Sequence, residues 1–248
     1  MLDARDEQLY QALKAISEAK GAAGSGSLAS ALRAAGLQVS EATAGRILRE
    51  LDQKGLTERS GFKGRVLTEA GKRHLRELNA KREQAGYSEE LLRALQAGEK
   101  DELVEVLVAR RAIERETARL AALNATDEQI EALRRCIEVH QKHFEEGVVD
   151  AEDDLTFHRL VSEASHNRVL IAASRLVRQD SQMAPILEFI RRNVGSGVVH
   201  DHRKVFHAIE AKDPVAAEEA MVNHIENVIA DVKRYWELHR RENGGNCI

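Results

Sequence analysis

Three imidazoles and one carboxylate are spaced so that helices alone can bring them together, and that spacing limits what this chain can fold into. Asp154-Leu-Thr-Phe-His158 sets a carboxylate and an imidazole four residues apart, positions that stack on one face of an α-helix. Forty-four residues later His202 shares a helical stripe with Val205, Phe206 and Ile209. Asp213-Pro214 is a helix start with proline in its first turn, and the stripe that follows, Ala217, Met221, His224 and Val228, again carries a histidine on its apolar side. Three helices therefore each aim an imidazole into a common core. One inward histidine is ordinarily a hydrogen-bonded core residue, but the joint pattern points to ligands of one ion. Three neutral imidazoles and a carboxylate suit Zn²⁺, Ni²⁺, Fe²⁺ or Mn²⁺, and ligand type alone does not choose among them; Zn²⁺ is the first expectation. Such a set closes a tetrahedral site, or leaves two positions on an octahedral ion for water or a small carboxylate.

The rest of the composition agrees with helices. Only 2 prolines, 4% aromatic and 31% charged residues in 248 fit a mostly helical protein, and the length favours two domains. No apolar run approaches the roughly 18 residues of a membrane span, and the start Met-Leu-Asp-Ala-Arg-Asp-Glu does not read as a signal peptide. A cytoplasmic location and no membrane partner are expected. Cys136 and Cys247 are far apart and read as free thiols, Cys136 on the core side of its helix. Charge is divided unevenly: residues 1–82 carry 15 Lys and Arg against 10 Asp and Glu, residues 83–248 carry 22 against 31. A basic head on an acidic body is the division expected if one domain meets a polyanion.

The head, expected over residues 1–82, reads as helix 4–19, a Gly/Ser turn, helix 28–36, and a third helix capped by Ser40 and stopped by Gly55. Two short strands follow, 56–59 and 65–67, around Ser60-Gly-Phe-Lys-Gly64, and then a helix from Thr68 to about Lys81. Three helices and a basic hairpin make a winged helix-turn-helix, whose third helix enters a major groove. Ser40, Thr43, Arg46 and Arg49 on that helix, and Arg59, Lys63 and Arg65 on the wing, are the candidate DNA contacts, the wing cations meeting phosphate. The run Leu28-Ala-Ser-Ala-Leu-Arg-Ala-Ala-Gly-Leu-Gln-Val-Ser-Glu-Ala-Thr-Ala-Gly-Arg-Ile-Leu-Arg-Glu-Leu, with the later Gly-Arg-Val-Leu-Thr, resembles the N-terminal winged helix of archaeal nitrogen-regulator repressors.

Gln84-Ala-Gly-Tyr-Ser88 is the expected linker. Beyond it helices are expected at about 101–123, 127–146, 150–165, 167–193, 198–212 and 214–240, with a hinge at Gly195-Ser-Gly197 and a capping box at Thr126-x-x-Gln129. The segments Val108-Ala-Arg-Arg-Ala-Ile-Glu-Arg-Glu-Thr-Ala-Arg-Leu-Ala-Ala122 and Asp154-Leu-Thr-Phe-His-Arg-Leu-Val-Ser-Glu-Ala-Ser-His-Asn167, with His202 and His224, resemble the FadR-C-terminal-like (FCD) ligand-binding domain of GntR-type transcription regulators. The resemblance runs over about residues 100–235 and implies an antiparallel all-α bundle over 83–248. It also implies a divalent metal on Asp154, His158, His202 and His224, and an effector pocket lined by Arg110 and Asn167. Two features depart from the family. The Pro-Gly turn and Val-Ser-Arg recognition helix of its usual DNA-binding half are absent, and Arg168 stands where a proline commonly follows the asparagine.

The function this implies is a homodimeric transcription regulator that binds a palindromic operator and responds to a small organic acid, and no enzyme. A metal-sensing repressor is the first alternative. A metal-dependent hydrolase is the second, although the ligand set brings no evident general base. His140 and His143, among Gln and Lys, read as a solvated surface pair; His200 and His207 fall off the inward stripe, and His166 reads as a cap or surface residue.

Overall fold

Side-chain caps start the helices where the sequence offers acceptors. Asp3 accepts from the backbone N–H of Asp6 at the start of α1 (Ala4–Glu18), and Ser40 accepts from Thr43 N–H at the start of α3 (Glu41–Gln53), satisfying N–H groups that have no intrahelical partner. The computed structural model describes residues 3–96, 98–148, 151–178, 180–196 and 199–244, with backbone alone at 180–184 and 240–244. Cys247 and Gly197 lie outside the described residues.

The first compact unit ends at Arg93. Between α1 and α3 lies α2 (Ser25–Ala34), and after α3 come β1 (Thr57–Arg59) and β2 (Arg65–Leu67), paired antiparallel with Thr57 opposite Leu67 and Arg59 opposite Arg65. Ala23 adds a bridge to Arg65 beside β2, with N···O distances of 2.8 and 3.0 Å in the two directions. Gly64 is required there: at φ +134° its position would put a Cβ 2.4 Å from the Ala23 carbonyl oxygen. Leu13, Leu28, Leu32, Leu48 and Leu51 fill the core under the hairpin. Helix, helix, helix and a short hairpin is the expected winged helix-turn-helix.

The expected linker is helical instead. α4 runs from Glu69 to Ala94 without interruption, so Gln84–Ser88 and the anticipated 82/83 boundary both fall inside it. Gly86 tempers helix propensity by only about 1 kcal/mol, too little to end a helix whose other residues favour it.

The second unit, from Ala94, is all helix among its described residues: α5 (Lys100–Asn124), α6 (Asp127–Glu145), α7 (Ala151–Ala164), α8 (Arg168–Arg178), α9 (Asp180–Val194), α10 (Val199–Glu210) and α11 (Pro214–Gly244). Thr126 and Gln129 form the anticipated capping box of α6, and Asp213 caps α11 by accepting from Val215 and Ala216 N–H. The helix expected over 167–193 is described as α8 and α9, on either side of residue 179, which lies outside the described residues. Leu103, Leu107, Leu133, Phe157, Val205, Ile209, Met221 and Val228 belong to one buried core in which α5 and α11 pack along each other. The whole protein is thus mostly α, a winged helix followed by a helical bundle.

Candidate metal centre

Asp154 and His158 lie one turn apart on α7, His202 is on α10 and His224 is on α11. All four are buried, His202 and His224 completely. One ligand atom from each falls within 4.8 Å of the others. His224 Nε2 lies 3.1 Å from His158 Nε2 and 3.3 Å from His202 Nε2. Asp154 Oδ1 stands 3.5 Å from His202 Nε2 and 3.7 Å from His158 Nε2. Phe157 stacks on the His202 ring at 4.2 Å and 18° and meets the His158 ring edge-on, which holds both imidazole planes.

The outer nitrogens decide what the inner ones can be. His158 Nδ1 lies 2.5 Å from Glu114 Oε2; the ring N–H is not aimed straight at that oxygen, but at this distance attraction to an ionised carboxylate survives the misalignment. His202 Nδ1 lies 3.3 Å from His140 Nδ1, and His224 Nδ1 faces Asp201 Oδ2 at 4.0 Å. Burial holds the imidazoles neutral: it lowers the His158, His202 and His224 pKa values, with Arg178 adding to the effect at His158 and neighbouring histidines at the other two. A neutral imidazole with its proton on the outer nitrogen presents a bare lone pair inward. Three such lone pairs and a carboxylate oxygen converging at 3.1–3.7 Å repel one another unless a cation lies among them. The donor set therefore fits a divalent metal.

Ionised groups surround this set. Burial alone would raise the Asp154 carboxyl, but Arg191 and then Arg178 hold it well below the usual range. Arg178 Nη2 donates to Asp154 Oδ2 at 2.8 Å and Arg191 Nη1 to Oδ1 at 3.2 Å. Glu114, also held low against its burial by Arg110 first, accepts from Arg110 Nε at 2.7 Å and from Arg178 Nη1 at 3.4 Å. Arg110 is thus buried beside the cluster, and its Nη2, like Nε and Nη2 of Arg191, has no hydrogen-bond partner among the described residues. Asn167 is engaged elsewhere: its side-chain oxygen caps α8 by accepting from Val169 and Leu170 N–H.

Four residues of this environment escaped the sequence reading. Glu114 lies one turn after Arg110, a spacing that could have suggested the pair. Arg178 gave no signal; Arg191 shares a helical face with Leu187 and Val194, but an arginine there reads as a side chain whose charged end reaches solvent. His140 overturns its expected place: it is only 8% exposed and meets His202, because it continues the buried stripe Ile130, Leu133, Ile137 where α6 packs against α10. His143 is half-buried, with Nδ1 2.7 Å from Asp153 Oδ2. His200 and His207 are exposed as expected, and exposed His166 meets Gln129.

On the winged helix, Ser40, Arg46, Arg49, Arg59 and Lys63 are exposed and Thr43 is partly so. Ser40 and Thr43 hydroxyls pair at 2.9 Å, and Arg49 Nε donates to the Gly45 carbonyl. Arg65 differs from its wing neighbours. Its Nε donates to Asp52 Oδ2 at 2.7 Å and its side chain is 15% exposed, so it ties β2 to α3. Phe62, at the wing tip, is fully exposed.

Comparison with known proteins agrees with these two units. Residues 105–227 match the FCD domain family, and residues 10–78 match the ribonuclease R winged-helix domain. A putative L-lactate dehydrogenase operon regulatory protein of Escherichia coli (strain K12) is 31% identical over 154 residues, 60% of this chain and 59% of the relative. The Uxu operon transcriptional regulator of the same organism is 29% identical over 131 residues, 50% of this chain and 51% of the relative. The chain thus spans between half and three-fifths of the length of these relatives. A GntR family transcriptional regulator from Pseudomonas syringae pv. tomato aligns over 98% of this chain and 100% of its own, at 16% identity and a TM-score of 0.48. The helical unit with its buried Asp/His cluster is an FCD domain. The relatives matched over it are transcriptional regulators.

Proposed function

We propose that this protein is a ligand-responsive transcription regulator: its winged helix binds operator DNA, and its helical bundle binds a divalent metal and a small organic acid. The convergence of three imidazole nitrogens and Asp154 Oδ1 in a buried core is the observation that carries the reading. A bound ion would supply a Lewis-acidic position for a carboxylate oxygen. Asp154, His158, His202 and His224 would hold the ion, Zn²⁺ being the first candidate and Ni²⁺, Mn²⁺ or Fe²⁺ compatible with the same ligands.

The unpartnered N–H groups of Arg110 and Arg191 are the donors available to the acid, since unsatisfied buried guanidinium groups favour an anion that completes them. Asn167 contributes through the chain turn it fixes before α8, its oxygen being committed to the cap. On the DNA side Thr43, Arg46 and Arg49 read the groove, and Arg59 and Lys63 meet phosphate. A single small head gives little affinity, so a homodimer on a two-fold operator is the working assembly. The acid acts by binding the DNA-competent and incompetent states unequally.

The test is fluorescence anisotropy on DNA from upstream of the protein's own coding region, with chelated protein, reloaded protein, and reloaded protein plus a panel of hydroxy and keto acids. Elemental analysis of the purified protein accompanies it. A metal near one equivalent, and an operator affinity that shifts with an acid only in the loaded protein, are expected. Operator affinity indifferent to both chelation and every acid would refute the reading.

A further inference from the structure

The three imidazoles of the cluster have unlike outer partners. His158 faces the Glu114 carboxylate and His224 faces the Asp201 carboxylate, whereas His202 faces another imidazole, His140, on a helix that contributes no ligand. The two Nδ1 atoms are 3.3 Å apart and the rings are tilted by 58° with centroids 5.1 Å apart. Two facing ring nitrogens form a hydrogen bond only if one carries the proton and the other is bare. If His202 turns a bare Nε2 to the cluster, its proton must be on Nδ1, and His140 Nδ1 must accept it. His140 then carries its own proton on Nε2.

Resting on the metal reading above, we propose that His140 is a positioning residue for the metal centre: its bare Nδ1 accepts from His202 Nδ1 and fixes the lone pair of His202 Nε2 on the ion. The bond ties α6 to α10 at the level of the site, so α6 feels the occupancy of a centre it does not ligate. It also makes His202 the ligand whose orientation depends on a neutral group. A carboxylate attracts a ring N–H from a broad range of directions, but an imidazole nitrogen accepts along a single lone pair. The tilt between His140 and His202 therefore sets the direction of the His202 lone pair. Phe157, stacked on the His202 ring, restrains the ring plane but not its rotation within that plane; the hydrogen bond supplies that restraint. Outer partners of this kind commonly change metal affinity by about 10–100-fold when removed.

The experiment uses the full chain, stripped of metal and titrated with Co²⁺ against a chromophoric chelator, as wild type, His140→Leu and His140→Asn. Leucine keeps the apolar bulk without an acceptor, and asparagine places an oxygen near the former Nδ1. His140→Leu is expected to lose about 10–100-fold in Co²⁺ affinity and to shift the visible ligand-field bands, and His140→Asn to recover most of both. Long-range ¹H–¹⁵N spectra of the wild-type apoprotein should show His202 protonated on Nδ1 and His140 on Nε2, a readout that survives even if the leucine variant does not fold. The opposite tautomers, or a His140→Leu protein with wild-type affinity and spectrum, would overturn the assignment, as would an asparagine variant no better than leucine. A wild-type protein that takes up no Co²⁺ near one equivalent would overturn the metal reading itself, and is told apart from failure of the His140 role by that first titration.

Discussion

Glu114 Oε2 lies 2.5 Å from His158 Nδ1, and the same carboxylate accepts from Arg110 and Arg178. One anion, 1% exposed, therefore orients a candidate ligand and pairs with two buried guanidinium groups. Removing one partner of a buried charge network leaves the others desolvated and unpaired, which costs about 3–5 kcal/mol. Glu114→Ala should lower the bundle's unfolding free energy by about that amount, whereas Glu114→Gln, which retains one acceptor oxygen, should lose less. Urea unfolding followed by circular dichroism checks this, and equal stability of Glu114→Ala and wild type would show that the network is not structural.

The wing cations divide by their partners. Arg59 and Lys63 are exposed, so alanine at either should weaken binding to all DNA sequences and reduce the slope of log K against log salt by about one. Arg65 is held by Asp52, and its loss should leave that slope nearly intact while loosening the hairpin. Arg46→Ala should relax sequence preference as well as affinity. Anisotropy titrations at several salt concentrations separate the three behaviours; an Arg65→Ala slope as reduced as that of Lys63→Ala would mean the ion pair opens to reach phosphate.

Much of this site was legible because helical periodicity is local. Asp154 and His158 declare their common face at a spacing of four, and the stripes around His202 and His224 are apolar enough to declare theirs. Arg178, Arg191 and His140 were missed for a different reason: a buried charge or imidazole is fixed by partners far away in sequence, and although His140 follows Leu133 and Ile137 and Arg191 lies between Leu187 and Val194 on their helices, the residue type itself reads as solvated. The same limit explains the linker. Gly86 and Ser88 look like a break locally, but the residues on either side are strong helix formers that carry α4 through. Arg65 was read from charge alone, and the carboxylate that claims it lies 13 residues back.

Cys136 packs partly buried against the bundle core, and burial pushes its thiol up to about 11. The thiolate is the nucleophile, so at pH 8 roughly one molecule in a thousand is reactive there, against about a quarter for an ordinary thiol with a pKa near 8.5. Alkylation of Cys136 by iodoacetamide, followed by peptide mass spectrometry, should be slow in the folded protein at pH 8, accelerate toward pH 11, and become fast in urea. Rapid modification at pH 8 without denaturant would show that the α6 segment opens readily.

His224→Ala should abolish the response to metal and acid while leaving the winged helix able to bind DNA. His224 is fully buried on α11, and its Nε2 is the nitrogen nearest to both other imidazoles. Its removal leaves three potential ligands on two helices and cuts the centre's link to the helix that packs most extensively along α5. Loss of a ligand should weaken metal binding more than the roughly 10–100-fold typical of outer partners, and the melting temperature should cease to respond to chelator. Arg110 and Arg191 would remain to hold an acid, without an ion to receive its carboxylate. The head keeps its own core around Leu13, Leu28, Leu48 and Leu51, so operator affinity should persist but no longer shift with acid. Calorimetry of metal and acid binding, run beside anisotropy on operator DNA, measures each part separately. Full metal content together with an intact acid response in His224→Ala would make this histidine an ordinary core residue, and the convergence of three imidazoles a feature of packing alone.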